Sequence, residues 1–211
     1  EKQIFPKSNF VRNFLDKSSE IAKAINEKNI DQMVTLIKKT KSEHGRVFFA
    51  GSGGGAGHSS HAAADFRKIL EIESYSITDN VSELTARIND ESWEDAYKNW
   101  LKISRVTDKD ILFIFSVGGG DLKEKISVNL IRAIDYVKNC GGKVIGIAGR
   151  NGGYLNHNAD ASVIVPNLDP NFVTAHTEGF QAIIWHLIVC NPLLNGNPPK
   201  WEGLEAEDDL R

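Results

Sequence analysis

The chain has 211 residues, 41% hydrophobic and 25% charged, which is enough apolar side chain for a sizeable core and too balanced a composition for disorder. A formal net charge of -3 and the acidic run Glu202, Glu205, Glu207, Asp208 and Asp209 leave no basic surface to displace counterions, so nucleic acid is excluded as a principal ligand. The most apolar stretch, Ala182 to Leu194, is broken by His186, Asn191 and Pro192 and falls short of the ~20 residues a membrane span requires. The amino terminus shows no signal-peptide pattern, and Cys140 and Cys190 lie in apolar segments without CxxC spacing. The expectation is a cytoplasmic protein with two buried thiols.

Phe10, Val11, Phe14, Leu15, Ile21 and Ile25 recur at three- and four-residue spacing, which predicts an amphipathic helix capped by Ser8 or Asn9. A second helix follows from Ile30. Arg46 to Ala50 reads as a strand that runs into Gly51-Ser52-Gly53-Gly54-Gly55-Ala56-Gly57 and then a helix to Leu70. A short strand near Ser74 to Ile77 and helices from Ser82 and Glu91 come next. Ile111 to Phe115 runs into Ser116-Val117-Gly118-Gly119-Gly120 and a helix through Asp135; Lys143 to Ala148 runs into Gly149-Arg150-Asn151-Gly152-Gly153; and Ser162 to Val165 is the fifth strand. Alternating units with continuously apolar strands predict an α/β, three-layer, doubly wound (flavodoxin-like) sandwich around a five-stranded parallel sheet, with N-terminal helices.

Residues 1–211 form one domain in this reading. Residues 1–45 carry helices that pack on a neighbouring subunit or cover the sheet, and residues 193–211 form a surface tail. Ligands of such sheets sit beyond the carboxyl ends of the strands, where the three glycine-rich loops fall. Glycine loops at helix N-termini suit a phosphate group. The P-loop pattern has no match, since no lysine follows Gly57. A dinucleotide site fits loosely, through Gly51-x-Gly53-x-x-Ala56 and Asp79, but a lone glycine fingerprint is weak, and no nucleotide cofactor is expected.

Ser52-Gly53-Gly54-Gly55, His61-x-x-x-Asp65, Asn89-Asp90, Ser116-x-Gly118-Gly119, and Glu178 with His186 together resemble the phosphoheptose isomerase branch of the SIS (sugar isomerase) family. The resemblance spans nearly the whole chain. It implies an aldose-ketose isomerase that interconverts sedoheptulose 7-phosphate and a manno-heptose 7-phosphate, as a homotetramer with shared active sites. It further implies that His61, Asp65, Glu178 and His186 bind zinc or move protons, and that Ser52, Gly53, Gly54, Gly55, Asn89, Asp90, Ser116, Gly118, Gly119 and Ser127 hold the substrate. The chain departs from the family pattern where Asp65 replaces Glu, where Glu178 replaces Gln, and where glycines replace most of a Ser/Thr-rich phosphate turn. A short insertion, Asp121 to Ile126, precedes Ser127. Because like charges repel in a partly buried site, either Asp121 turns away from the phosphate dianion or the ligand is not the usual one.

From the residues themselves, the four-residue spacing of His61 and Asp65 puts them on one helix face about 6 Å apart along the axis. Taken alone, such a pair is more often a hydrogen-bonded helix pair than a zinc half-site; the resemblance is what raises the metal reading to equal standing. Glu178 and His186 are about 12 Å apart along their helix and about 80° around it; His186 is either a core histidine or an acid-base group. Isomerisation through a cis-enediol needs a base, an acid and an oxyanion stabiliser. Asp65 or Glu178 is the expected base, with His186 as its partner at oxygen. His58, Ser59 and Ser60 read as helix caps, His176 as a neighbour of the site, and Trp93, Tyr97 and Trp100 as core or interface. The competing function is a non-catalytic sugar-phosphate-binding regulator or assembly protein, or an isomerase of a different sugar phosphate.

Overall fold

Five short apolar segments line up side by side because each is buried on both faces, and only parallel strands sandwiched between helix layers meet that requirement. The computed structural model describes residues 9–198; Ser8, Trp201 and the acidic run lie outside the described residues. Helices α1 (Phe10–Ala24) and α2 (Glu27–Ser42) precede β1 (Val47–Gly51) and α3 (Gly54–Lys68). Then come β2 (Ser74–Ser76), α4 (Val81–Asp90), α5 (Trp93–Ile103), β3 (Ile111–Ser116), α6 (Val128–Asn139), β4 (Lys143–Ala148), α7 (Gly153–Asn158), β5 (Ala161–Ile164) and α8 (Val173–Val189). The sheet order is β2-β1-β3-β4-β5, every pair parallel. The winding therefore reverses between β1 and β3, the place where doubly wound sheets hold ligands.

Successive strand residues face opposite layers. Val47, Phe49, Phe113, Phe115 and Ile147 pack with Met33, Phe66 and Trp185 under α2, α3 and α8. Phe48, Ala50, Leu112, Ile114 and Val144 pack with Tyr97, Leu130, Ile134 and Leu155 under α5, α6 and α7. The edge strands β2 and β5 are short, three and four residues, which limits exposed pairing surface.

Several boundaries differ from the sequence expectation for local reasons. Helix α2 starts at Glu27 rather than Ile30 because the Asn26 side chain accepts the Lys28 amide. Its Ile30, Met33, Val34 and Ile37 join the core, and Asn29 donates to the Ser162 carbonyl of β5 at 2.8 Å, so α2 covers the sheet of its own chain. Helix α1 buries Ile21 but leaves Val11 and Leu15 exposed. The Asn9 side chain makes no capping bond. The expected buried thiols are corrected: Cys140 is half-buried and Cys190, at the carboxyl end of α8, is exposed; both are free. Among the described residues no helix is long and apolar enough to cross a membrane.

At the opposite end of the sheet from the glycine loops, Asp110 is buried and binds Arg46 in a bidentate pair, Nη2–Oδ2 2.7 Å and Nε–Oδ1 3.2 Å. It also accepts the amides of Arg46 and Thr107 at 2.9 and 2.8 Å. Burial opposes its ionisation, but the Arg46 guanidinium and the two amides outweigh burial and hold the carboxyl below its ordinary value. The stability this contributes is complete above the unfolded carboxylate pKa and is lost as pH falls through the depressed folded value. Asp110→Ala strands the guanidinium and is expected to cost roughly 3 kcal/mol in urea unfolding at pH 7, with a smaller penalty at strongly acid pH.

Candidate active site

The turn from β1 into α3 is set by close backbone contact. A Cβ on Gly51 would overlap the carbonyl carbon of Gly55, and one on Gly55 would lie 2.6 Å from the Phe115 carbonyl oxygen at the end of β3. Gly53 takes φ 57°, ψ -122°, a conformation for glycine alone. Tyr97 of α5 donates its hydroxyl to the Gly51 carbonyl at 2.7 Å and pins the end of β1. Helix α3 therefore begins at Gly54, inside the glycine run. A Cβ on Gly54 would lie 2.5 Å from the Glu178 carboxylate, so this carboxylate of α8 rests on the first turn of α3.

Two turns further along α3, His61 and Asp65 meet His186 of α8, and one ligand atom from each lies within 4.8 Å of the other two. His61 Nε2 is 3.7 Å from Asp65 Oδ2. His186 Nδ1 is 2.8 Å from the Ala182 carbonyl, which can only accept, so Nδ1 donates there and Nε2 is left out of that bond. Fixing a ring through one nitrogen while freeing the other is how proteins orient metal-binding histidines. Trp185 stacks on His186 at 3.5 Å between ring centroids and further fixes the ring. Two imidazoles and a carboxylate suit a divalent cation with open positions. Glu178 lies outside this trio.

Between the trio and Glu178 sits His58. Desolvation lowers its pKa below the ordinary histidine value, with His61 and His186 pushing the same way, against the Glu178 carboxylate and a hydrogen bond to the Glu178 carbonyl. A cavity of about 510 Å³ opens at the carboxyl ends of β1, β3 and β4, walled by Ser52, Ser116, Gly118, Ser127 and Arg150 among others. The Ser116 hydroxyl accepts the Gly119 amide at 3.0 Å and so shapes its own turn. Ser127 stands at the N-terminus of α6, and its side chain makes no capping bond.

Residues 9–149, well over half the chain, match the family described as the SIS domain. The chain belongs to the SIS domain family. The SIS chain is 27% identical to a phosphoheptose isomerase of Helicobacter pylori (strain P12) over 165 residues, 75% of this chain and 82% of that protein. It is also 27% identical to the lincomycin biosynthesis protein LmbN of Streptomyces lincolnensis over 188 residues, 84% of this chain and 66% of that protein. In three dimensions it resembles phosphoheptose isomerase GmhA from Neisseria gonorrhoeae, with TM-score 0.73, 22% identity and coverage of 85% and 95% of the two chains. The phosphoheptose isomerase from Francisella tularensis gives 0.75 and 17% over 90% and 99%, so the SIS architecture extends across the sheet and its helices.

Within this SIS fold the expected site residues divide. Ser52, Ser116, Gly118 and Ser127 meet at the cavity, and Gly53, Gly54 and Gly55 form the turn beside it. Gly119 lies behind the wall and gives its amide to Ser116. Asn89 and Asp90 end α4 and hydrogen-bond each other at 2.8 Å, away from the cavity of this chain. The Asp121 Oδ1 atom accepts the amides of Lys123 and Glu124 and is thus turned into its own loop. His176 is buried against Phe14 at 4.5 Å between ring centroids, in the α1–α8 contact rather than the cavity. His58, Ser59 and Ser60 do not cap α3, which starts four residues before His58: Ser59 bonds the Gly55 carbonyl and Ser60 bonds Asp79. The sequence reading missed His58 and Arg150 as site residues. If His61, Asp65 and His186 hold a cation, cobalt(II) produces visible absorption bands on titration, and His186→Ala and His61→Ala each weaken binding roughly tenfold or more.

Proposed function

We propose that the protein is an aldose-ketose isomerase of a sugar phosphate and that its substrate is sedoheptulose 7-phosphate, converted to D-glycero-D-manno-heptose 7-phosphate. The observation that carries this reading is the position of Glu178, a carboxylate on the first turn of α3 beside His58, at the end of a glycine turn whose Ser52 lines the cavity. A linear polyol phosphate laid along α3 has room for several carbons, since Gly54 and His61 are about 10 Å apart along the helix axis. The relatives named phosphoheptose isomerase support the substrate class.

His61, Asp65 and His186 are the residues that would hold a divalent cation, zinc by their donor set, and a bound cation would polarise the sugar carbonyl. This leaves Glu178 as the base in place of Asp65. Its carboxylate takes a proton from C1 of the ketose; the C–H pair becomes the C1–C2 double bond and the carbonyl pair moves onto O2. The same carboxylate returns the proton to C2 while the carbonyl re-forms at C1. One proton must also pass from O1 to O2. His58 is placed for that transfer, because an imidazole held below its ordinary pKa is neutral at pH 7 and can accept and donate. If no cation is held, His186 Nε2 takes this part. The exposed Val11 and Leu15 of α1 and Ile183 and Leu187 of α8 support packing against further copies of the chain as a homotetramer.

The test follows conversion of sedoheptulose 7-phosphate in deuterium oxide. Conversion with solvent deuterium incorporated at C2, lost on chelation and restored by zinc, is expected; Glu178→Gln is expected to lower kcat roughly 100-fold or more. Sugar-phosphate binding with no conversion and no exchange would replace the isomerase by the regulator reading, a role that a structural neighbour, the Vibrio vulnificus NanR protein complexed with ManNAc-6P (TM-score 0.61, 13% identity, covering 88% of this chain and 60% of that one), brings into view.

A further inference from the structure

We propose that Arg150 is the phosphate anchor of the cavity, a charged substitute for the hydroxyl groups that the β3 loop does not carry. The inference rests on the sugar-phosphate reading and names the residue that recognises its anionic end. The loop after β3 brings Val117, Gly118, Gly120, Asp121 and Ile126 to the cavity wall, none with a hydroxyl, between Ser116, whose oxygen accepts the Gly119 amide, and Ser127 at the start of α6. Two charged side chains line the cavity, Asp121 and Arg150. Asp121 Oδ1 is held by the amides of Lys123 and Glu124. Arg150 is exposed to the cavity mouth, and among the described residues its guanidinium has no hydrogen bond or ion pair.

The backbone holds Arg150 at this place. Gly149 donates to the Val117 carbonyl at 3.0 Å, and Tyr154 and Leu155 donate to the carbonyls of Gly120 and Gly119 at 2.9 Å each, so the loops after β3 and β4 are docked together. The Gly152 amide closes a tight turn on the Gly149 carbonyl at 2.9 Å, and Arg150 occupies that turn with φ 52°, a conformation an arginine adopts only when its surroundings impose it. A planar fork of donors presented beside the N-terminus of α6 and the Ser127 hydroxyl matches the oxygens of a phosphate monoester. A glycine loop lets that group come close, and a single arginine then supplies the charge.

The experiment measures inorganic phosphate binding by titration calorimetry and, in parallel, KM and kcat for the sugar phosphate, in the wild type, Arg150→Gln, Arg150→Lys and Asp121→Asn. Arg150→Gln is expected to weaken phosphate binding and raise KM by about 10- to 100-fold with kcat within about twofold, the mark of binding lost equally from ground and transition states. Arg150→Lys is expected to recover part of the loss, and Asp121→Asn to change neither quantity more than about threefold. Equal thermal midpoints for the wild type and Arg150→Gln separate this from misfolding. Unchanged phosphate affinity and KM in Arg150→Gln would overturn the anchor while leaving an active isomerase intact. Weakened phosphate binding in a protein that isomerises no sugar phosphate would keep the anchor and overturn the isomerase. A wild type that binds no phosphate overturns the anchor.

Discussion

The contact on which the rest depends is that of the first turn of α3 with the ends of β1 and β3. Gly51 and Gly55 meet backbone to backbone, and Gly55 presses on the Phe115 carbonyl, so no side chain separates the helix from the sheet. That contact determines where α3 begins and therefore which of its residues face α8. Had the helix started at His58, as capping chemistry alone suggests, His61 would belong to its first turn rather than its third. The Glu178 carboxylate lies on Gly54, in that same first turn, where the α3 dipole is positive.

From this follows a site with two ends. One end is a cavity of glycine backbone, a few hydroxyls and one guanidinium, chemistry that grips an anion but moves no protons. The other end is a set of imidazoles and carboxylates on α3 and α8, chemistry that holds a cation or moves protons but offers little to a phosphate. Such separation lets remote binding free energy orient the reacting carbons, which is where oriented binding yields the most in rate.

Much of the fold was legible because the strands are continuously apolar and each runs into glycines, a pattern that parallel sheets impose. The helix start at Gly54 was not legible: glycine is a poor helix former, and only the tertiary contact with Phe115 makes a helical conformation favourable there. His58 was misread for the same reason, since its role as a cap presupposed the later start. Arg150 escaped notice because a charge in a loop has no periodicity; its relevance depends on β4 lying beside β3, a fact of sheet order rather than of local sequence. His61, Asp65 and His186 were named from spacing and resemblance, and the geometry brings them together. The exposure of Cys190 follows from the end of α8 projecting past the core that its sequence neighbours Ile188 and Val189 still occupy.

The insertion between Asp121 and Ile126 closes on itself, with the two residues exchanging amide-to-carbonyl bonds at 2.9 Å in each direction. Everything between those two bonds, Leu122 to Lys125, is suspended from a clasp rather than woven into the wall. A clasped loop can lengthen, shorten or change composition at little entropic cost, since closure entropy grows only slowly with length. In an evolving lineage the rim of this cavity is thus a replaceable part: new substrates can be admitted or refused at the rim by drift within a few residues, while the imidazoles and carboxylates on α3 and α8 stay as they are.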